Sequence, residues 1–290
     1  MANTIDWGQA AVNNTNGFGQ APTNNTIDFG EVCADSWSPE TNLTGAGATP
    51  SYQNEYSFQF DGVDDYIDCG DNDNLSFGNA STDSAFSISA WVKMTDATRF
   101  RVASKLNGSN AEYAFFTSAA DQLYFVLYDN TTSNRISRFT SSTLTSYEGV
   151  WIHLVATYSG SGSSGGLKIY LDNARIDDSF SDVGAYNAMH NTNAIFEIGK
   201  YTTSSANGLI DEVSVFNSEL SQSDITTIYN SGIPNNLNDL STPPLSWWRM
   251  GEAATFDGIR DWNLVDQGTG GNDATSQNIA ETERVTDVPT

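Results

Sequence analysis

The run FSISAWVKM at residues 86–94 puts Phe86, Ile88, Ala90 and Val92 on one side of an extended chain and Ser87, Ser89, Trp91 and Lys93 on the other. That is the period of two that a β-strand imposes on its side chains. VWIHLVATY (150–158) repeats it, with Val150, Ile152, Leu154 and Ala156 opposing Trp151, His153, Val155 and Thr157. Working outward, YSFQF (56–60), EYAFFT (112–117), LYFVLYD (123–129), LKIYLDN (167–173), IFEIG (195–199) and LIDEVSVF (209–216) are further predicted strands. Turn-rich loops such as SGSGSSGG (159–166) separate them, so the expected fold is all-β, an antiparallel sandwich of two sheets. One short helix interrupts the pattern: Ser221 and Asp224 have N-cap and N3 spacing, Ile225, Ile228 and Tyr229 form one apolar stripe, and Gly232 marks its stop.

The 290 residues carry 12 Lys plus Arg against 36 Asp plus Glu, a net charge of -24. A nucleic-acid partner is excluded on that ground, because phosphate binding draws its affinity from Lys and Arg. Attachment to an anionic membrane surface is excluded for the same reason. Residues 1–92 hold no Lys or Arg at all, and six acids, Asp61, Asp64, Asp65, Asp68, Asp71 and Asp73, fall within 13 residues. Cys33 and Cys69 are too few for a disulfide framework and have no His at zinc-like spacing; whether they pair stays open. The start, Met1 to Gly8, lacks the basic flank and apolar run of a secretory signal, and nothing reads as a transmembrane span.

The first 32 residues contain an 11-residue repeat: Asn3-Thr4, Asn14-Thr15 and Asn25-Thr26 precede Trp7-Gly8, Phe18-Gly19 and Phe29-Gly30. Each copy offers one aromatic beside a helix-weakening Gly, which excludes a right-handed coiled coil. Because 11 is odd, one unbroken strand would turn Trp7 and Phe18 to opposite faces, so the expectation is three extended hooks bent near their glycines. An arm of this kind must insert its aromatics into another surface. Residues 33–54 and 234–244 read as linkers, 55–233 as the sandwich, and 245–290 as a segment that completes it, the alternative being the opening of a second, truncated unit.

Five ordered motifs, FDGVDDYIDCG (60–70), FSISAWVK (86–93), WIHLVATY (151–158), LKIYLDN (167–173) and GLIDEVSVFNSELSQSDITTIYNSG (208–232), resemble the laminin G-like branch of the concanavalin A-like jelly rolls. A jelly roll reused for glycan binding, adhesion and hydrolysis is what the resemblance implies. In many such domains a WWRMGE-type strand precedes the FDGVDDY segment; here it follows the body, at 247–252. Repeats of the WGQ and FGQ kind before such a body resemble the attachment ends of structural proteins of marine tailed phages. On this resemblance the chain is expected to be a virion component, assembled in the host cytoplasm, with other capsid or tail proteins as partners of Trp7, Gly8, Phe18, Gly19, Phe29 and Gly30. A host-surface polysaccharide is a further expected partner, and a symmetric homo-oligomer is the expected state. A bacterial carbohydrate-binding or adhesion module is the alternative, and a divergent glycanase the third reading.

Catalysis is not expected. A glycanase on this fold needs carboxylates at alternate strand positions, whereas Asp211 and Glu212 are adjacent and so point to opposite faces, and His153 and His190 stand alone. Calcium is the expected cofactor, since hard cations take several oxygen ligands. In similar domains loop carbonyls and an Asp of the IDE segment hold it, so Asp61, Asp64 and Asp211 are the expected ligands. The same acids also read as a turn whose side chains hydrogen-bond their own backbone. Trp91, Trp151, Trp247 and Trp248 read as packing, while Tyr113, Tyr147 and Tyr186 are the candidates for a ligand face.

Overall fold

The structure is a computed structural model that describes residues 52–130 and 132–290, together with the backbone of two short upstream strands. Backbone contacts divide the chain into two units that meet between Gln53 and Asn54.

In the first unit Ile5–Asp6 and Asn16–Gly17 pair in parallel, Ile5 opposite Asn16 and Asp6 opposite Gly17. The offset is the repeat length, so these two positions of the first copy lie beside their equivalents in the second. Trp7, Gly8, Phe18, Gly19, Phe29, Gly30 and Cys33 lie outside the described residues.

The second unit is a sandwich of two antiparallel sheets. One orders its strands Ala174–Arg175, Leu167–Leu171, Ile152–Tyr158, Phe86–Met94, Asn207–Phe216, Ser57–Asp61 and Arg284–Val285, and Ser246–Trp248 also pairs with Asn207–Phe216. The other runs Ser179–Phe180, Arg135–Phe139, Leu123–Asn130, Asn110–Thr117, Arg101–Asn107, Phe196–Ile198, Tyr66–Asp68, Ala274–Gln277, Trp262–Leu264 and Thr255–Phe256. The tail thus supplies strands to both sheets.

The inward residues of FSISAWVKM enter the core as their alternation predicts. Phe86 stacks on Phe77 at 4.2 Å and meets Tyr113 and Phe125 from the opposite sheet. On the other face Ser87, Ser89 and Trp91 are buried as well, and the helix Gln222–Tyr229 covers Trp91, which stacks on Tyr229 at 5.9 Å, while Lys93 stays half-buried. Ser221 and Asp224 form the reciprocal capping box that their spacing predicts, and Asn230 ends the helix in a left-handed conformation. From the tail, Trp248 is fully buried, stacks on Phe196 at 5.6 Å and donates its Nε1–H to the carbonyl of Asn272.

Candidate functional site

Asp61 ends its strand and Asp65 folds back on it, accepting the Asp61 N–H at 2.8 Å, while Asp61 accepts the N–H of Val63. Carboxylate oxygens of Asp61, Asp64 and Asp65 lie within 4.8 Å of one another. Burial, then the charges of Glu283 and Asp61, pushes the Asp65 carboxyl up to about 7. The other acids of the run disperse: Asp68 accepts the N–H of Gly70, Asp71 pairs with Lys105, and Asp73 accepts from Asn191.

Asp211 does not join them. Asn207 is the residue opposite Asp61, which places Asp211 four positions further along its strand, about 13 Å away at a strand's rise. It meets Glu212 and Glu252 instead, the three offering oxygens within 4.8 Å of one another. The expectation that Asp211 and Glu212 point to opposite faces is corrected here. The register between Asn207–Phe216 and Phe86–Met94 shifts between Asp211 and Ser214, and Glu212 adopts φ +51°, so a bulge turns both carboxylates to the same side.

The cluster is elaborately held. Glu212 accepts from Trp247 Nε1 at 2.6 Å and Arg249 Nε at 3.1 Å, and Asn54 Nδ2 donates to Asp211 at 2.9 Å. Glu252 accepts the N–H of Tyr56 at 2.9 Å. Asp211 is fully buried, and its carboxyl is held well above the usual range, first by burial and then by the charge of Glu212. Two oxygens of the group, Asn54 Oδ1 and Glu252 Oε2, are buried without a hydrogen-bond partner. Oxygen-only donors with lone pairs unspent suit a hard cation such as calcium. Asn54 and Glu252 are not legible as ligands in the sequence: Asn54 lies in a linker-like stretch and Glu252 ends a strand-like run, and only tertiary contact joins them.

The outward face of the larger sheet carries a second feature. An open cavity of about 410 Å³ is lined by Phe116, Tyr124, Tyr128, Tyr201, Arg135 and Ser137, among others. Phe116 stacks on Tyr124 at 5.8 Å and tilts against Tyr201 at 4.8 Å; Tyr124 also stacks on Phe139 at 4.5 Å. The Tyr128 and Tyr201 hydroxyls share a hydrogen bond of 3.1 Å. Flat aromatic faces interleaved with hydroxyl and guanidinium groups are the chemistry that holds a sugar, by stacking on C–H faces and bonding to hydroxyls.

The tyrosines expected on a ligand face lie elsewhere. Tyr113 is fully buried, with its hydroxyl donating to the carbonyl of Leu75, and Tyr186 donates to Asp83. Tyr147 borders a smaller pocket with Leu144, Leu171 and Ile176. The tryptophans pack as expected: Trp91 beneath Tyr229, Trp248 in the core, Trp247 on Glu212, and Trp151 donating to Asp287.

His153 Nε2 lies 2.7 Å from Ser89 Oγ, but both are buried, and burial pushes the imidazole down to about 3. Its Nδ1 has no hydrogen-bond partner, so no acid orients it as in a nucleophile-activating triad. Among the described residues no helix is long and apolar enough to cross a membrane.

A family model described as the concanavalin A-like lectin/glucanases superfamily (Laminin_G_3) matches residues 61–226, over half of the chain. Among solved structures, a Bacteroides ovatus protein assigned to carbohydrate binding aligns at 16% identity with a TM-score of 0.53, over 82% of this chain and 62% of its own. A heptameric SAP-like pentraxin from Limulus polyphemus aligns at 13% identity and TM-score 0.41, over 60% of this chain and 82% of its own. Botulinum neurotoxin type C, whose cell entry depends on two ganglioside molecules, aligns at 20% identity and TM-score 0.44, over 63% and 44%. At 16% identity the likeness to the Bacteroides ovatus protein shows a shared fold alone. No curated protein matches the sequence.

Proposed function

The chain belongs to the concanavalin A-like lectin/glucanases superfamily, and on that premise we propose that it is a non-enzymatic glycan-binding sandwich carried by a virion structural protein. The observation that carries glycan binding is the aromatic cavity on the outward face of the larger sheet, walled by Phe116, Tyr124, Tyr128 and Tyr201. Among the described residues its wall holds no Asp or Glu, and so no acid and nucleophile pair for glycoside hydrolysis. A glycan array probed with the full chain tests the reading. Binding that falls at least about tenfold in Tyr124→Ala, a loss in the range of one stacked sugar contact, supports it. Hits indifferent to that substitution, or reducing sugar released from a bound glycan, would overturn it.

Calcium belongs to this reading as a structural ion. Asp211, Glu212 and Glu252 would hold it, with Asn54 Oδ1 completing the oxygen set; the Asp61, Asp64 and Asp65 group is the second place. The ion would supply positive charge beside Asp211, whose carboxyl burial otherwise forces toward the protonated form.

The virion assignment rests on the 11-residue repeats, whose copies offer Trp7, Phe18 and Phe29 for insertion into a capsid or tail partner. Cryo-EM of phage particles containing the chain tests it, with density for the three aromatics in a partner surface as the expected result. The fold shared with the Bacteroides ovatus protein favours one other reading, a bacterial carbohydrate-binding or adhesion module. Particles lacking the chain, with glycan binding intact after deletion of residues 1–32, would establish that one instead.

A further inference from the structure

Of the chain's 12 Lys and Arg residues, Lys93, Lys105, Arg138, Lys168, Arg175, Lys200 and Arg249 stand in ion pairs with carboxylates. Among the described residues, Arg101 and Arg135, at the aromatic cavity, have no carboxylate in an ion pair. Arg135 lines it directly opposite Tyr128, and its guanidinium donates to the backbone carbonyl of Thr132 at 2.9 Å. Arg101, opposite Phe116, is 6% exposed, and its guanidinium lies 5.4 Å from the Phe116 ring and 5.0 Å from the Tyr201 ring. It donates to the carbonyl of Thr117, while its Nε is buried with no partner.

This arrangement runs against the composition. In a chain with 36 acids, the residues lining this aromatic cavity include no carboxylate, and among the described residues none stands within ion-pair reach of the buried guanidinium behind them. Burying a cation without a counter-charge is costly, and here burial has already pulled Arg101 down to about 10. The rings of Phe116 and Tyr201 offset part of that cost through their negative faces. A ligand anion would offset more. The net charge of -24 does not forbid its approach, because at physiological salt exposed charges are screened beyond roughly 8 Å.

We propose that the cavity binds a carboxylated saccharide, such as a uronic acid unit, with its ring on Tyr124 and Phe116 and its carboxylate toward Arg135 in the field of Arg101. A guanidinium fork matches a carboxylate in two parallel hydrogen bonds, which Lys does not reproduce. The inference rests on the glycan-binding reading above and names the class of sugar.

The test is a glycan array carrying matched neutral, uronate-bearing and sulfated oligosaccharides, followed by calorimetry with oligogalacturonate and its methyl ester. Parent, Arg135→Gln, Arg135→Lys and Tyr124→Ala chains are compared, each checked for an unchanged unfolding transition. The expected result is galacturonate binding at least about tenfold tighter than that of the ester, weakened by salt, with the preference lost in both Arg135 variants. Equal binding of acid and ester, or hits confined to neutral or sulfated glycans that Tyr124→Ala abolishes, overturns the carboxylate and leaves glycan binding standing. An array with no hit sensitive to Tyr124→Ala overturns both.

Discussion

Asp211 and Glu212 are consecutive residues of one strand, yet their carboxylates meet on the same side of it, because Glu212 takes a left-handed backbone at a bulge opposite Ala90. Strand geometry alone would have separated them. The bulge creates the cluster with Glu252, and three of the predictions below depend on what burial does to acids and bases held in this way.

Calcium should stabilise the protein. At a free concentration one hundred times its dissociation constant, an ion bound only by the folded state adds about 2.7 kcal/mol. Thermal unfolding with and without a chelator should show that shift in the parent and its loss in Asp211→Asn and Glu252→Gln. A melting temperature indifferent to both calcium and chelator would remove the ion from the proposal.

Without the ion, Asp211 makes neutral pH a burden. Its folded carboxyl is held above the ordinary value, so its contribution to stability is complete below pH 3.8 and is lost as pH rises. Asp65 behaves alike, raised from 3.8 to about 7, and its share is lost as pH rises through about 7. In chelator, Asp65→Asn should therefore flatten part of the decline in melting temperature between about pH 4 and pH 7.

His153 works in the opposite direction. Its pKa falls from 6.5 to about 3, so the unfolded chain takes up a proton that the folded state refuses. Its contribution is complete above pH 6.5 and is lost as pH falls toward 3. His153→Gln can keep a hydrogen bond to Ser89 and does not titrate. It should lower stability at pH 7 yet make the acid limb shallower, as urea unfolding at a series of pH values would show.

Gly199 joins the strand Phe196–Ile198 to the hairpin that carries Tyr201. It has φ +80°, and a Cβ there would lie 2.4 Å from Cε1 of Phe60, a fully buried ring. Gly199→Ala should cost about 1–3 kcal/mol by overpacking. Because the hairpin holds Tyr201 against the cavity, glycan affinity should fall with it; retention of both would show that Phe60 has room to move.

The tail should behave as core. Trp248→Ala removes a ring stacked on Phe196 and an N–H bound to the Asn272 carbonyl, and should cost about 3–5 kcal/mol in denaturant unfolding.

The sequence by itself determined the elements whose signal is local. Alternation in FSISAWVKM and WIHLVATY specified strands and their inward faces, and Ser221 with Asp224 specified where the helix begins, because both patterns are written within a few residues of chain. In LYFVLYD the same alternation marked a strand but not which face would be core, since aromatics occupy both: Phe125 is interior, while Tyr124 and Tyr128 line the cavity. Only the position of the second sheet decides that. The acid cluster was likewise beyond local reading, because it joins Asn54, Asp211 and Glu252 across nearly 200 positions and depends on a bulge that breaks the period of two. Period and capping are properties of neighbouring residues, whereas a cavity or an ion site is a property of the surfaces that long-range strand pairing brings together.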